Sequence, residues 1–284
     1  MKDKLSNKKN AHYSKPAPKN QKKFGVGVYI IGAGVMGSAI AKALANKGQK
    51  VFVYDRTYAK AKALAKGKKI IADKNFEHLG KAEMIIVAVK PQDVPSLALE
   101  IKGRFRSSVV IISVAAGVKI AKLQQSFRHK KVVRVMPNLG LSVGLGIAAW
   151  KSAGLSRKEK LAVRKLFNQI TENFEVNNEA EIDSVTAISG SGPVYFFYFA
   201  AALQKSAKAL GLKTTLAKKL VAKTFSAAAQ LGQGQDYQQL INQVASKGGT
   251  TAAALKIFEK RHLDEIVKDA ARAAYTRAGE LSKE

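Results

Sequence analysis

The chain contains no cysteine, which rules out disulfide bonds and thiolate metal sites. A reducing compartment is compatible with that absence, and we expect a cytoplasmic protein. The four histidines, His12, His78, His129 and His262, lie far apart and show no ligand spacing. We therefore predict no structural metal.

Long apolar runs are also missing. The longest, PVYFFYFAAAL at 193–203, is shorter than the about 20 residues that a membrane helix needs. The start of the chain does not read as a secretory signal, and its lysines are not the arginines of a transit peptide. We expect neither a membrane span nor a targeting segment.

Acidic side chains are few: 20 aspartates and glutamates stand against 49 lysines and arginines, a net charge of +29. Residues 1–23 hold eight lysines and one aspartate with almost no apolar content, which predicts a disordered tail. Elsewhere the charge is spread over polar faces such as KAKALAKGKK, which favours solvated surfaces over a nucleic-acid groove. Nucleic-acid binding is not expected, and a dinucleotide-binding regulatory or nucleic-acid-associated factor is kept as an alternative.

A glycine loop dominates the start of the ordered sequence, where FGVGVYIIGAGVMGSAIAKALANKG passes from an apolar run into helical sequence. Gly32, Gly34 and Gly37 form G-x-G-x-x-G. The first glycine makes a tight turn, the second lets backbone approach a pyrophosphate, and the third lets helix and strand pack closely. The following KVFVYD predicts a strand ending in Asp55, whose carboxylate can accept ribose hydroxyls. We therefore predict a dinucleotide cofactor.

The choice between NADH and NADPH stays open at this point. Asp55 would repel a 2'-phosphate and favours NADH, whereas the cations Arg56, Lys60 and Lys62 would attract that phosphate in NADPH. These three cations are equally compatible with ordinary surface charge.

Further apolar runs, EMIIVAVKP, SVVIISVAAG and KKVVRVMPN, alternate with polar helical sequence, as in a parallel sheet buried on both faces. The fold class is therefore α/β, with a doubly wound, Rossmann-type domain over 24–178. Ligands bind outside the carboxyl ends of such strands, so residues 90–91, 115–117 and 137–138 are expected near the cofactor.

Beyond about residue 179 the pattern is helical. Pro193 starts an apolar helix that ends at Gly211, and a second helix ends at Gly232. Five consecutive aromatics at 195–199 are too many for one helix face, so this helix is buried in a core or a subunit interface. Residues 179–284 are predicted as a second, helical domain, and the chain as a homo-oligomer.

Six segments, in this order, resemble the pyrroline-5-carboxylate reductase family. They are IGAGVMG at 31–37, AVKPQ at 88–92, SVAAGV at 113–118, MPN at 136–138, VTAISGSGPVY at 185–195 and SKGGTT at 246–251. The resemblance covers nearly everything from Phe24 to the C-terminus. It implies NAD(P)H-dependent reduction of 1-pyrroline-5-carboxylate to L-proline, and a helical domain that binds substrate and interlocks in homodimers, which can assemble further.

The resemblance also implies site residues. SKGGTT grips the substrate carboxylate, with Thr251 as the catalytic residue near the imine nitrogen. The predicted substrate-binding residues are Ser246, Gly248, Gly249, Thr250, Thr251 and Glu179. The predicted cofactor-binding residues are Gly32, Ala33, Gly34, Val35, Met36, Gly37, Asp55, Arg56, Asn75, Ala88, Val89, Lys90, Pro91, Val114, Ala115, Ala116 and Gln243.

Taken alone, SKGGTT also fits a plain helix start, because threonine is a good N-cap and paired glycines make turns. The dinucleotide domain, which needs a substrate domain, and the SGSGP motif favour an anion site instead. Leu139, Gly140 and Lys247 depart from the family pattern, so a different cyclic imine acid or a small carbonyl is kept as an alternative substrate.

Hydroxyacid dehydrogenases share the predicted architecture but need a general base, often a lysine on the helix after a glycine-rich turn. In this chain that helix reads GSGPVYFFYF, with no lysine for about a dozen residues after Gly192. An imine tolerates the absence, since its nitrogen protonates readily, whereas an alcohol must lose a proton as the hydride leaves. The sequence therefore favours an imine substrate.

Overall fold

A computed structural model describes residues 27–67 and 69–281, so the predicted tail at 1–23 lies outside the described residues. The elements alternate between strand and helix up to residue 175 and are helical from 179 onwards. The predicted α/β class is confirmed. The domain bounds themselves, 24–178 and 179–284, stay predictions.

Across residues 27–67 and 69–281, eight strands form a single sheet. They are β1 (Val28–Ile31), β2 (Val51–Tyr54), β3 (Ile70–Ala72), β4 (Met84–Val87), β5 (Val110–Ser113), β6 (Val132–Pro137), β7 (Ile147–Ala153) and β8 (Glu172–Glu175). Their order across the sheet is β3-β2-β1-β4-β5-β6-β7-β8. From β3 to β6 all neighbours are parallel, β7 runs antiparallel to β6, and β8 is parallel to β7. The sheet therefore extends beyond the apolar runs that predicted it.

Helices cover both faces of this sheet. They are α1 (Val35–Asn46), α2 (Tyr58–Leu64), α3 (Val94–Glu100), α4 (Ile120–Phe127) and α5 (Arg157–Asn168). Side chains of β1 alternate between two apolar clusters: Val28 and Ile30 pack in the cluster that includes Leu44, whereas Tyr29 and Ile31 pack in the other. Because successive side chains of a strand point to opposite faces, this alternation shows a sheet buried on both sides.

The C-terminal part is built from helices. They are α6 (Glu179–Val185), a π-helical turn (Thr186–Gly190), α7 (Gly192–Ala209), α8 (Thr214–Leu231), α9 (Tyr237–Val244), α10 (Thr250–Lys260) and α11 (Leu263–Leu281). The helix ends expected at Gly211 and Gly232 fall one or two residues after α7 and α8. Within the described part, no helix combines the length and the apolar character that crossing a bilayer requires. The cytoplasmic location stays a prediction.

Candidate functional site

The three glycines of the loop after β1 have different tasks. Gly32 has a φ of +108°, which disfavours other residues, and a β-carbon there would lie 2.5 Å from the carbonyl oxygen of Ala88. A β-carbon on Gly37 would overlap the carbonyl oxygen of Gly32. At Gly34 a β-carbon would meet no described atom within 4 Å. Gly32 and Gly37 are thus required by packing, whereas Gly34 leaves open space on the surface of the loop.

The start of α1 opens onto that space. Gly34 is the N-cap and makes no side-chain cap, and the first bond of the helix runs from the Ser38 N–H to the Gly34 carbonyl at 2.9 Å. The N–H groups of Val35, Met36 and Gly37 precede it and point out of the helix end. Such N–H groups, together with the helix dipole, attract a phosphate. This end of the helix fits the pyrophosphate of a dinucleotide.

Asp55 braces the glycine loop from the end of β2. One carboxylate oxygen accepts a hydrogen bond from the Ala33 N–H at 2.7 Å, and the other accepts one from the Thr57 N–H at 2.8 Å. The sequence predicted this residue as a ribose acceptor, and each oxygen keeps a lone pair for that contact. Its backbone-bracing role was not visible in the sequence.

A cleft runs along the carboxyl ends of β1, β2 and β4. It brings together seven of the predicted cofactor residues, namely Gly32, Gly34, Asp55, Arg56, Ala88, Val89 and Lys90, with Lys60 beside them. Four polar side chains that the sequence did not single out also line it, namely Tyr54, Asp93, Ser96 and Glu100. Ten predicted residues are not among the lining residues, and their cofactor contacts stay predictions; they are Ala33, Val35, Met36, Gly37, Asn75, Pro91, Val114, Ala115, Ala116 and Gln243.

The loop that carries Asn75 is shaped by Asp73, which is buried. Its carboxylate accepts hydrogen bonds from the backbone N–H groups of Asn75, Glu77 and His78 at 2.9–3.2 Å. Burial raises the pKa of the Asp73 carboxyl, but its hydrogen-bond donors together, the N–H groups of His78 and Glu77 first among them, hold that pKa below its ordinary value. Asp73, Glu77 and His78 place ligand-type atoms within 4.8 Å of one another. Because the Asp73 carboxylate already accepts hydrogen bonds from three N–H groups, these three residues fit a role in stabilising the loop better than a metal site.

The segment after β5 is held by the last helix. Gly117 has a φ of +77°, and a β-carbon there would lie 2.6 Å from the β-carbon of Leu281. The end of α11 therefore packs directly on the loop that the sequence assigned to the cofactor. Ala115 is buried, and its N–H donates to the Ser113 hydroxyl at 3.3 Å.

Arg134 links the sheet to the helical part and was missed by the sequence reasoning. Its side chain is 1% exposed. One guanidinium nitrogen lies 3.1 Å from a Glu179 carboxylate oxygen and the other lies 2.6 Å from an Asp183 oxygen. The same Glu179 oxygen accepts the Ile120 N–H at 3.0 Å. Glu179, predicted as a substrate contact, thus ties β6, α4 and α6 together; a direct substrate contact stays a prediction.

Asn138 makes a second link between the two parts. Its amide nitrogen donates to the Ser189 hydroxyl at 3.2 Å, and its amide oxygen accepts from the Ile147 N–H at 3.2 Å. The MPN and SGSGP segments therefore meet in space.

At Gly140, a β-carbon would lie 2.6 Å from the Leu145 carbonyl oxygen, so this departure from the family pattern is required by the local turn.

The SKGGTT segment forms a helix start without a side-chain cap. Gly248 has a φ of +79°, Gly249 is the N-cap of α10, and Thr250 and Thr251 are its first two residues. The first bond of this helix runs from the Ala253 N–H to the Gly249 carbonyl at 3.1 Å. The earlier N–H groups are thus available to an anion. The threonines do not cap the helix, which removes the plain-cap interpretation of their hydroxyls.

In the single chain, the SKGGTT segment does not line the dinucleotide cleft. None of Ser246, Gly248, Gly249, Thr250 and Thr251 lines the cleft. Neither α9, which carries Gln243, nor α10 has a buried residue. These helices form an exposed arm, defined as residues 237–260. In α7, Phe196, Phe197 and Tyr198 are also exposed, by 60%, 58% and 80%.

Two protein families match this chain, one over its helical part and one over its dinucleotide-binding part. Residues 179–281 match the family described as pyrroline-5-carboxylate reductase dimerisation, and residues 27–117 match the one described as NADP oxidoreductase, coenzyme F420-dependent. The pyrroline-5-carboxylate reductase of Haemophilus influenzae is 30% identical over 262 residues, which are 89% of this chain and 97% of that protein.

Two solved structures extend this similarity to the whole fold. The NADP-bound pyrroline carboxylate reductase of Plasmodium falciparum is 30% identical, with a TM-score of 0.79 over 90% of this chain and 98% of that one. A pyrroline-5-carboxylate reductase from Coxiella burnetii is 29% identical, with a TM-score of 0.81 over 92% and 100% of the two chains.

Proposed function

This chain belongs to the pyrroline-5-carboxylate reductase family, and from that premise we propose that it reduces 1-pyrroline-5-carboxylate to L-proline with a nicotinamide dinucleotide. The observation that carries the proposal is the similarity to a reductase of that name over 97% of its length. The open space at Gly34 and the free helix start of α1 fit the dinucleotide.

The residues of the chain then have separate tasks. When bound, the reduced nicotinamide supplies the hydride. The start of α1 holds the pyrophosphate, and Asp55 fixes the loop that presents it. The N–H groups at the start of α10 hold the substrate carboxylate, and the Thr251 hydroxyl donates a hydrogen bond to the ring nitrogen. No lysine base is needed, because an imine gives up no proton when its carbon accepts the hydride; its nitrogen instead takes one up from water through the Thr251 hydroxyl.

Replacing Thr251 by alanine is expected to lower turnover about 100-fold or more, the usual size for a lost positioned proton donor, with an unchanged dissociation constant for the dinucleotide. Thr215→Ala is the matched control: Thr215 is the second residue of α8 as Thr251 is of α10, and both are exposed. Steady-state rates and cofactor titrations check both variants. Equal rates for Thr251→Ala and the unchanged chain would remove Thr251 from the site.

The chain assembles as a homo-oligomer, and we propose that its basic unit is a dimer. The matched family is one of dimerisation, and the exposed apolar surface of α7 needs a cover. A second copy of the chain would bury this surface and would also pack against the exposed arm. Since the arm carries the substrate residues, a complete site then requires both copies.

Tyr198→Asp is expected to separate the copies, because it places a charge in the middle of the exposed aromatic surface of α7. Light scattering at micromolar concentration measures the mass. Tyr58→Asp is the control, since Tyr58 is an exposed aromatic at the start of α2, away from the helical part. A dimer mass for Tyr198→Asp, or a monomer mass for the unchanged chain, would contradict the proposed interface.

A further inference from the structure

The adenosine end of the cofactor cleft carries charges of both signs on facing walls. Arg56 and Lys60 come from the segment after β2, and Asp93 comes from the segment after β4. A guanidinium nitrogen of Arg56 lies 3.6 Å from a carboxylate oxygen of Asp93. This contact crosses the cleft where the ribose of a dinucleotide would face Asp55.

Asp55 does not decide by itself between the two nicotinamide cofactors. Both of its oxygens are held by backbone N–H groups, so the carboxylate is fixed in place. A ribose hydroxyl can still donate to a remaining lone pair, which suits NADH. A 2'-phosphate needs a cation instead, and Arg56 is the neighbouring residue that can make charge-assisted bonds to it.

The Arg56–Asp93 pair is weak and exchangeable. The Arg56 side chain is 80% exposed, and the contact joins single atoms at 3.6 Å, so solvent screens most of its energy. A phosphate carries more charge than a carboxylate and offers three acceptor oxygens. Arg56 can therefore leave Asp93 for a phosphate, but Asp93 competes for it.

Asp93 is held at its position by its backbone. It ends a short 3-10 helix, Pro91–Asp93, in which its N–H donates to the Lys90 carbonyl at 2.9 Å. Its own carbonyl accepts the Ser96 hydroxyl at 3.0 Å. The Asp93 backbone therefore keeps this residue at the wall of the cleft, where its carboxylate is within reach of Arg56.

We propose that Asp93 is a specificity-determining residue for the cofactor. It competes with the 2'-phosphate of NADPH for Arg56, which weakens the binding of NADPH relative to that of NADH. This inference rests on the proposed function only in that a nicotinamide dinucleotide occupies this cleft. Substrate identity does not enter it.

The test measures cofactor binding alone, by nicotinamide fluorescence without substrate, on the full-length chain. Asp93→Asn removes the competing charge and is expected to lower the dissociation constant of NADPH about 3- to 10-fold in low salt, with less than about a 2-fold change for NADH. Arg56→Gln is expected to raise the NADPH constant about 10-fold or more and to abolish the effect of Asp93→Asn in the double variant. Glu172→Gln makes the same charge change on β8, at the opposite edge of the sheet from β2 and β3, and serves as the control.

Three results would overturn the proposal. In the first, Asp93→Asn lowers the dissociation constants of NADH and NADPH equally. In the second, Asp93→Asn leaves the dissociation constant of NADPH unchanged. In the third, Asp93→Asn still lowers that constant when Arg56→Gln is also present. A chain that binds both cofactors as expected but does not turn over 1-pyrroline-5-carboxylate would refute the proposed reaction and leave this inference standing.

Discussion

Gly34→Ala is expected to leave the chain folded while weakening dinucleotide binding roughly 10- to 100-fold, as for about 1–3 kcal/mol of steric overlap. The methyl group would meet no described atom within 4 Å, and Gly34 has an extended backbone with a φ of −72°, which alanine adopts freely. It would instead occupy the surface that the pyrophosphate approaches. Thermal unfolding and cofactor titration of the same sample separate the two effects.

Gly37→Ala is the matched counterpart, three residues further along the chain, in the first turn of α1. Its methyl group would overlap the Gly32 carbonyl oxygen and approach the β-carbon of Ala88 at 3.1 Å. We expect a loss of about 3 kcal/mol or more in the free energy of unfolding, because neither neighbour can move without separating α1 from the sheet. Normal cofactor binding by Gly34→Ala, or an unchanged unfolding temperature for Gly37→Ala, would contradict the assigned tasks of these glycines.

Arg134→Met is expected to lower the free energy of unfolding by about 3–5 kcal/mol, the usual cost of removing one partner from a buried ion pair. Arg134 is 1% exposed and has two carboxylate partners, Glu179 and Asp183. Without the guanidinium, Asp183 loses its cation and α6 loses its tie to β6. Denaturant unfolding followed by circular dichroism measures the change.

Arg157→Met serves as the control for this substitution, because Arg157 is an exposed residue at the start of α5. It should change the free energy of unfolding by less than about 0.5 kcal/mol, as surface substitutions usually do. The loss for Arg134→Lys should lie between those of Arg134→Met and Arg157→Met, since one ammonium group does not reproduce the contacts of two guanidinium nitrogens with two carboxylates. A loss for Arg134→Met no larger than that for Arg157→Met would show that the link is not a stabilising one.

Local patterns predicted the cofactor half well. The apolar runs at β1, β2, β4, β5 and β6 are strands, and the expected glycines lie in the turn after β1 (Gly32 and Gly34) and at the start of α1 (Gly37). These features depend on neighbouring residues. A strand buried on both sheet faces requires a continuous apolar run, and a tight turn requires glycine, so both are visible in the local sequence. The short edge strand β3 and the antiparallel β7 were not predicted, because edge and antiparallel strands leave weaker marks.

Side-chain partners were much less predictable. Arg134 meets Glu179 and Asp183 across 45 and 49 residues of sequence. Nothing in VVRVMPN distinguishes an arginine destined for burial from one on the surface. For the same reason the Arg134–Glu179 and Arg56–Asp93 contacts went unnoticed. Pairing depends on tertiary topology, which a single sequence does not display.

The substrate segment shows the same division. The paired glycines of SKGGTT predicted a turn before a helix, and the structure has that turn, with a positive φ at Gly248. We propose that a second copy covers the arm that carries it, and no local pattern describes that copy. Its role in the reaction therefore stays a proposal until it is measured.

The central claim is tested most directly by mixing the purified full-length chain with 1-pyrroline-5-carboxylate and either NADPH or NADH, then following nicotinamide absorbance and identifying the product. We predict loss of absorbance with at least one cofactor and formation of one L-proline for each dinucleotide oxidised. Absence of turnover with both cofactors, in a sample that binds dinucleotide normally, would contradict the proposed reaction.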